Sequence, residues 1–378
     1  MANFPSRNGA NLTAKERVLA ACRFERTDRM PRFDHFWDEA PDWIADIGGA
    51  DAITDIKIWV PMEGAFVTRA RTIEKRGLDH IFVDQWGATV RTRRGAAFSE
   101  TLEVPIPVGT DIDRIQFDPP DLDMRYMRGR NAQEEVRALL KQDGEKFCTF
   151  GKTGGPYLRT AFVRGTEQFL MDIASDPPLA RALSDKMATH LASIGVEQLR
   201  RWSLFDTGIW IYDDMANNRG PMFSPKSFER IFLPGYQLMI RAFKEAGARY
   251  VFLHSDGNVN PILDMLVDAG IDGLNPLEPR AGMNAAKLRE QYPRLILVGG
   301  MDNTETFIRG PIHKIESDAR TLIDLGRDGG LVIGTHSICP ETPREHVLAY
   351  HQVCMTYGAF GELDRIRTGS SRAEGHRQ

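Results

Sequence analysis

Short runs of apolar residues recur along the chain, with longer amphipathic stretches between them. Eight runs read as strands: MPRFDHF at 30–36, HIFVD at 80–84, KFCTFG at 146–151, TGIWIY at 207–212, YVFLH at 250–254, IDGLN at 271–275, LILVG at 295–299 and GLVIG at 330–334. Most show no polar alternation, as expected of strands covered on both faces. The stretches between them carry helix signals. Thr13 and Glu16 form a capping box ahead of AKERVLAACRF. Ser224-Pro225 sets an N-cap before a proline at the first helical position, and that helix ends near Gly247. Strands alternating with helices predict an α/β fold with a parallel sheet. Eight of them predict a closed (β/α)8 TIM barrel, with the helix after Thr13 as an N-terminal extension. Between the second and third strands, VRTRRGAAFSETLEVPIPV reads as a β-hairpin inserted outside the barrel.

The chain has 378 residues, which suits one such barrel, because α/β barrels of roughly 250 residues or more form a single unit. We expect it over 13–366, between disordered, polar ends at 1–12 and 367–378. A net charge of −4 offers no broad attraction for nucleic acid or anionic lipid. No apolar run approaches the roughly 20 residues of a membrane helix. The polar start MANFPSRNGANLT lacks the apolar core of an export signal, so a cytoplasmic location is expected. Cys22, Cys148, Cys339 and Cys354 are widely spaced, which suits reduced thiols. Cys22, Cys148 and Cys354 fall on apolar faces and read as core.

In a barrel, chemistry gathers at the C-terminal ends of the strands. Here those ends carry Asp34-His35, Asp84, Asp213-Asp214, His254-Ser255-Asp256-Gly257-Asn258, Asn275 with Glu278, Asp302-Asn303, and His336 with Cys339. Asp and Asn at these places also serve as caps of the following helices, a purely structural use. Histidine is a poor cap, which makes His254 and His336 more pointed signals. His254 and Asp256 are two apart, so their side chains can face one way in extended chain. With His336 they would supply two imidazoles and one carboxylate, a catalytic metal set that suits zinc or non-haem iron. The alternative is a hydrogen-bonded His–Asp pair beside an unrelated histidine. Asp213, Glu278 and Asp302 are candidates to orient substrate or relay protons. Trp37, Trp86 and Tyr212, with Asn275, are candidates for substrate contact, although core packing is the commoner fate of such aromatics.

Several segments carry a resemblance. They are TAKERVLA from Thr13, RTDRMP from Arg26, GGPYLRTAFVRG from Gly154, IYDDMA around Asp213, GPMFSP from Gly220, HSDGN from His254, DGLN from Asp272, GGMD from Gly299 and HSICPETP from His336. In order and spacing they resemble the uroporphyrinogen decarboxylase-like superfamily. That resemblance implies a barrel and one of two chemistries. The first is cofactor-free decarboxylation of uroporphyrinogen or a related tetrapyrrole. The second is zinc-assisted methyl transfer between a small substrate and a corrinoid (cobalamin) held by a partner protein.

The decarboxylases carry an arginine-rich R-Q-A-G-R-Y segment after the first strand to hold substrate carboxylates. Here that stretch reads FDHFWDE, and burying carboxylates without a cationic clamp would cost several kcal/mol. Asp79 falls near the position of their catalytic aspartate, and Phe162 stands where they have a tyrosine. Arg69, Arg71, Arg91 and Arg159 could restore cationic charge from other loops. The methyltransferases carry an H-x-C…C zinc pattern, at whose positions this chain offers His254, Asp256 and His336. His336 also matches the decarboxylases' histidine in the last loop. Replacing both sulfurs with harder donors favours an oxygen substrate such as a methoxy ether or phenolate. The expectation is therefore a zinc-dependent methyltransferase acting on a small substrate with a corrinoid protein, and decarboxylation is the alternative. A homodimer is compatible with the sequence but not specified by it.

Overall fold

A computed structural model describes residues 11–37, 39–94 and 99–360. Most of the two ends expected to be disordered, and the tip of the expected hairpin, lie outside the described residues. In chain order the strands are β1 (Ile56–Trp59), β2 (Arg71–Arg76), β3 (Asp79–Val83), β4 (Thr89–Arg93), β5 (Glu100–Glu103), β6 (Cys148–Gly154) and β7 (Gly208–Tyr212). They continue with β8 (Ala216–Asn217), β9 (Gly220–Pro221), β10 (Tyr250–His254), β11 (Gly273–Asn275), β12 (Ile296–Gly300) and β13 (Leu331–Gly334). The fold is α/β, with helices between the successive parallel strands from β6 onward. The chain forms two compact units. One holds the chain up to Lys57, Gln142–Thr149 and the chain from Leu274; the other holds Ile58–Lys141 and Phe150–Gly273.

In the first unit, β12 and β13 pair in parallel from Leu297↔Leu331 to Gly300↔Gly334. Every residue of both strands is buried, which accounts for their unbroken apolar runs. The capping box forms as predicted. Thr13 Oγ1 accepts the Glu16 N–H at 3.2 Å, the Glu16 carboxylate accepts the Thr13 N–H at 3.0 Å, and the helix runs Ala14–Cys22. The 30–36 segment does not form the continuous strand expected of it. It meets the β13 region through isolated parallel bridges, Arg32↔Ile333 and Phe36↔Ile338. Side chains here take over part of the backbone's work: Asp34 accepts the Thr335 N–H at 2.8 Å, and Asp55 accepts the Arg32 N–H at 2.9 Å. Cys22, Cys148 and Cys354 are buried, as their apolar surroundings predict.

In the second unit, β7 lies between two parallel neighbours. It pairs with β6 from Gly151↔Ile209 to Gly154↔Tyr212, and with β10 from Tyr250↔Gly208 to His254↔Tyr212. The helix signalled by Ser224 is present. The Ser224 side chain accepts the Ser227 N–H, Pro225 follows, and the helical chain continues through a π-turn at Phe228–Phe232 to Glu245, with Gly247 at φ +102° beyond it.

A second strand assignment needs correction. HIFVD at 80–84 is not a barrel strand. Its residues form β3 of a four-stranded antiparallel sheet ordered β2-β3-β4-β5. Only Val83 of β3 is fully buried, while β2 and β5 are exposed along their whole length. A five-residue apolar run has no period that separates a buried parallel strand from a half-covered antiparallel one. The predicted hairpin is the β4–β5 part of this sheet. The strand that sequence reading passed over is β1, whose IKIW is short and interrupted by Lys57. Among the described residues, no helix is long and apolar enough to cross a membrane.

Candidate functional site

The second unit builds its candidate site from the two-residue period of its parallel strands. Phe150, Trp210 and Phe252 form one layer, with Trp210 stacked on Phe252 at 4.9 Å and Phe150 edge-on to both. Two residues further along each strand stand Lys152, Tyr212 and His254. Tyr212 stacks on His254 with ring centroids 4.1 Å apart and planes 14° from parallel. Lys152 Nζ lies 4.7 Å from the centroid of the Tyr212 ring. An aromatic layer thus supports a layer of cation, phenol and imidazole. Burial, with Asp214 and Asp256 nearby, raises the Tyr212 pKa, so the phenol remains protonated.

Beyond His254 the chain turns so that Asp256 comes back beside it. His254 Nε2 is 3.6 Å from Asp256 Oδ1 and 3.9 Å from Asp214 Oδ1. Asp214 also accepts the Asp256 N–H at 3.2 Å, fixing the loop. Gly257 makes the turn possible. Its φ is +80°, and a Cβ there would lie 2.7 Å from the Ala216 carbonyl carbon on β8. The glycine of HSDGN is therefore required by backbone approach.

Asp213, beside Asp214, is engaged differently. Its fully buried carboxylate accepts the Tyr157 N–H at 3.1 Å, the Leu158 N–H at 2.6 Å and the Tyr236 hydroxyl at 2.7 Å. It thereby caps the helix Pro156–Arg164. Gly155 permits the contact, since a Cβ there would meet Asp213 at 2.3 Å. Burial still pushes the carboxyl up to about 6, against those hydrogen bonds.

A second group of charges lies on the β6 side. Glu63, buried, accepts Arg159 Nη2 at 2.6 Å and the Gly154 N–H. The Arg159 guanidinium lies 5.5 Å from the centroid of Trp86 and 5.0 Å from that of Phe162. Trp86 is buried, while Phe162 is partly exposed. Burial lowers the pKa of Lys152, an effect that Glu63 opposes. Sequence reading passed over Lys152 and Glu63. The signal available for Lys152 was a charged residue in phase with Phe150 on an otherwise apolar strand.

In the first unit His336 follows β13. Its N–H donates to Asn303 Oδ1 at 3.2 Å, and Asn303 Nδ2 donates to the Ser337 carbonyl at 2.8 Å. Glu278 Oε1 stands 4.0 Å from His336 Nδ1. His35 faces the same imidazole; burial first, and His336 second, lower its pKa to about 4. Asp302 accepts three backbone N–H groups, from Thr304, Glu305 and Thr306, and so caps the following helical turn. Asn275 Nδ2 donates to the Val298 carbonyl at 3.2 Å. Trp37 is 67% exposed. Cys339 lines a cleft of about 180 Å³ with Phe36, Trp43 and Pro340.

Asp79 lies on β3 in the antiparallel sheet. Its half-exposed carboxylate is 3.8 Å from Arg93 Nε. Asp84, just past β3, accepts the Trp86 and Ala88 N–H groups, each at 2.9 Å, and shapes the turn into β4.

Comparison with known proteins adds an independent line. Two methylcobamide:CoM methyltransferases, MtaA of Methanosarcina barkeri strain Fusaro and MtaA of Methanosarcina barkeri, are 30% and 32% identical to the chain over 128 residues. Each match covers 34% of this chain and 36% of the relative, so the chain aligns with about a third of these relatives' length. A solved structure of a methyltransferase from Methanosarcina mazei matches 92% of this chain and 99% of its own, with a TM-score of 0.62 and 19% identity. That likeness shows the fold. The sequence model of the uroporphyrinogen decarboxylase (URO-D) family matches residues 83–357, which include the β7 and β10 ends, His254, Asp256, Glu278 and His336. The chain belongs to the uroporphyrinogen decarboxylase (URO-D) family, with the α/β barrel fold that its strand pattern predicts.

Proposed function

We propose that this chain is a zinc-dependent methyltransferase that moves a methyl group between a small substrate and a corrinoid carried by a partner protein. The observation that carries the reading is the donor pair at the end of β10, His254 Nε2 and Asp256 Oδ1, 3.6 Å apart. Two donors on one tetrahedral zinc ion, each at about 2.0–2.2 Å, stand about 3.4 Å from one another. The pair therefore fits two corners of such a site with little adjustment. His336, at the position of the methyltransferases' third zinc ligand, is the third ligand on this reading. Two imidazoles and one carboxylate leave a coordination position for substrate. When bound, the metal supplies Lewis acidity towards a substrate oxygen, as the absence of sulfur donors favours.

The remaining side chains have separable tasks. Tyr212, stacked on His254, fixes the plane of that imidazole, and Asp214 fixes the loop that presents Asp256. Glu278, 4.0 Å from His336, orients that ring or takes a proton from substrate. Asp213 and Asp302 act at one remove, as caps that hold the loops in place. The similarity to methylcobamide:CoM methyltransferases supports a corrinoid methyl carrier. Decarboxylation of a tetrapyrrole would need surplus cations for its carboxylates. Of the arginines named for that role, Arg159 is paired with Glu63 and Arg91 with Glu100, whereas Arg69 stacks on Phe66 and Arg71 donates to the Arg69 carbonyl, so two of the four are already neutralised.

The test is elemental analysis of the purified chain with His254→Ala and His336→Ala alongside, followed by visible spectroscopy of a cobalamin mixed with methoxylated substrates. Stoichiometric zinc that both variants lose, with corrinoid methylation in the parent alone, is the expected result. A folded chain that stays metal-free after incubation with zinc, or that decarboxylates uroporphyrinogen, overturns the reading.

A further inference from the structure

A lysine covered by protein usually has a partner for its charge, and Lys152, half-covered, lacks one in a telling place. It stands in the same layer as Tyr212 and His254, half-covered, on the inward phase of β6. Among the described residues its Nζ donates no hydrogen bond and forms no ion pair within 4.0 Å. Its contact is the face of Tyr212, a weak substitute for an anion. Glu63, a buried carboxylate within electrostatic reach of Lys152, is already engaged by Arg159 at 2.6 Å and by the Gly154 N–H. Two cations, Lys152 and Arg159, thus face a single buried carboxylate on this side, and Arg159 Nε is itself a buried donor without a partner. Asp214 lies within electrostatic reach of Lys152, but its side chain is 45% exposed and its Oδ1 holds the Asp256 N–H. The positive charge is therefore placed beside the candidate donor pair and left for something else to complement.

We propose that Lys152 is a binding residue for a carboxylate on the small substrate, which makes that substrate a methyl-bearing carboxylic acid. The inference rests on the reading of the β10 end as the reaction site. Tyr212 separates Lys152 from His254, so the carboxylate is held on one side of the phenol ring while the oxygen that carries the methyl group is presented on the other. This arrangement selects for length. A substrate with its carboxylate and its methoxy oxygen on adjacent atoms would not span the ring, whereas an aromatic or extended acid would.

Isothermal titration of the chain with 4-methoxybenzoate, with methoxyacetate and with the two corresponding amides tests the idea. We expect 4-methoxybenzoate to bind about ten- to hundredfold more tightly than its amide, the size of one charge-assisted hydrogen bond, and methoxyacetate to bind more weakly. Lys152→Met should remove that preference and leave amide binding unchanged, and Lys152→Arg should restore most of it. Thermal melting checks that Lys152→Met is folded, with Lys152→Gln as a second neutral variant. A parent chain that binds the benzoate no better than its amide, or a neutral variant that keeps the preference, overturns the assignment. His254→Ala in the same titrations separates the two proposals. A Lys152-dependent preference in a chain that never takes up zinc keeps the carboxylate site and removes the metal reading. Zinc uptake with no such preference does the reverse.

Discussion

Two sheets of the second unit contain nearly the same residue types and use them in opposite ways. The antiparallel sheet β2-β3-β4-β5 bears arginines, acids and a histidine. His80 lies 4.9 Å from Phe82, and its ring nitrogen meets Thr72 Oγ1 at 3.2 Å. Its ion pairs, Asp79 with Arg93 and Arg91 with Glu100, stand in solvent. The parallel strands β6, β7 and β10 carry far fewer charges, but these are wholly or partly covered, layered and held by neighbours. His254 is sandwiched against Tyr212 at 4.1 Å and set 3.6 Å from Asp256. Water screens the first set, and a surface ion pair contributes about 0–1 kcal/mol. The second set lies where the dielectric is low, so each charge must be matched by a partner, a proton or a ligand. Residue type alone does not separate the buried, partnered histidine from the partly exposed one. Burial and the partners that burial demands do.

The comparison can be broken most directly at the histidines. Asp256→Ala, like His254→Ala, should abolish zinc retention and lower methyl transfer at least about a hundredfold, while His80→Ala leaves both unchanged. Zinc content and corrinoid methylation measured on the three variants decide it. Equal losses in His80→Ala would place the chemistry elsewhere.

Buried and exposed ion pairs offer the next contrast. Arg164 Nε meets Asp172 Oδ2 at 2.7 Å with both side chains 5% exposed. Asp172→Ala leaves a buried guanidinium without its counter-charge, and urea unfolding should show a loss of about 3–5 kcal/mol.

A third effect depends on pH. Burial lowers the His190 pKa to about 4, and its Nε2 meets the Glu63 carbonyl at 3.1 Å. Below its ordinary value of 6.5 the unfolded chain takes up a proton that the folded chain refuses. This residue's contribution is therefore fully present above pH 6.5, declines as pH falls, and is gone below about 4. The slope for one proton is about 1.4 kcal/mol per pH unit at most. Asp213, raised to about 6, acts in the opposite sense over part of the range. The difference in stability between the parent and His190→Gln, followed from pH 7 to 4.5, isolates the histidine. A constant difference across that range would refute the assignment.

The smallest effect is expected at Asp79→Asn, which breaks only the exposed pair with Arg93. It should alter unfolding free energy by less than about 1 kcal/mol and leave methyl transfer intact. Loss of activity there would revive the decarboxylase alternative, for which Asp79 is the central group.

Much of the molecule was legible in its sequence, for identifiable reasons. Buried parallel strands such as YVFLH and LILVG announce themselves because both faces exclude polar residues. Thr13, Glu16, Ser224 and Pro225 form local caps whose geometry depends only on near neighbours. The proximity of Asp256 and His254, 3.6 Å apart, could be anticipated because a two-residue spacing is itself a spatial statement. Local reasoning failed where a distant partner decided the outcome. HIFVD became β3 because β2 and β4 flank it, and FDHF stayed irregular because Asp34 and Asp55 capture backbone N–H groups from other segments. Nor could local reasoning see that the carboxylates of Asp213 and Asp302, candidates to orient substrate or relay protons, accept backbone N–H groups at helix termini.

By itself, then, the sequence determined the α/β class, the parallel strands from KFCTFG onward and, through its motifs, the family. The class follows from periodicity and the family from the resemblance of its motifs, and both are written along the chain. The tertiary structure alone decided which charges are buried, which carboxylates are engaged in capping, and that Lys152 faces a carboxylate already held by Arg159. The cost of a charge depends on the dielectric and the partners around it, and both are set by residues far away in sequence.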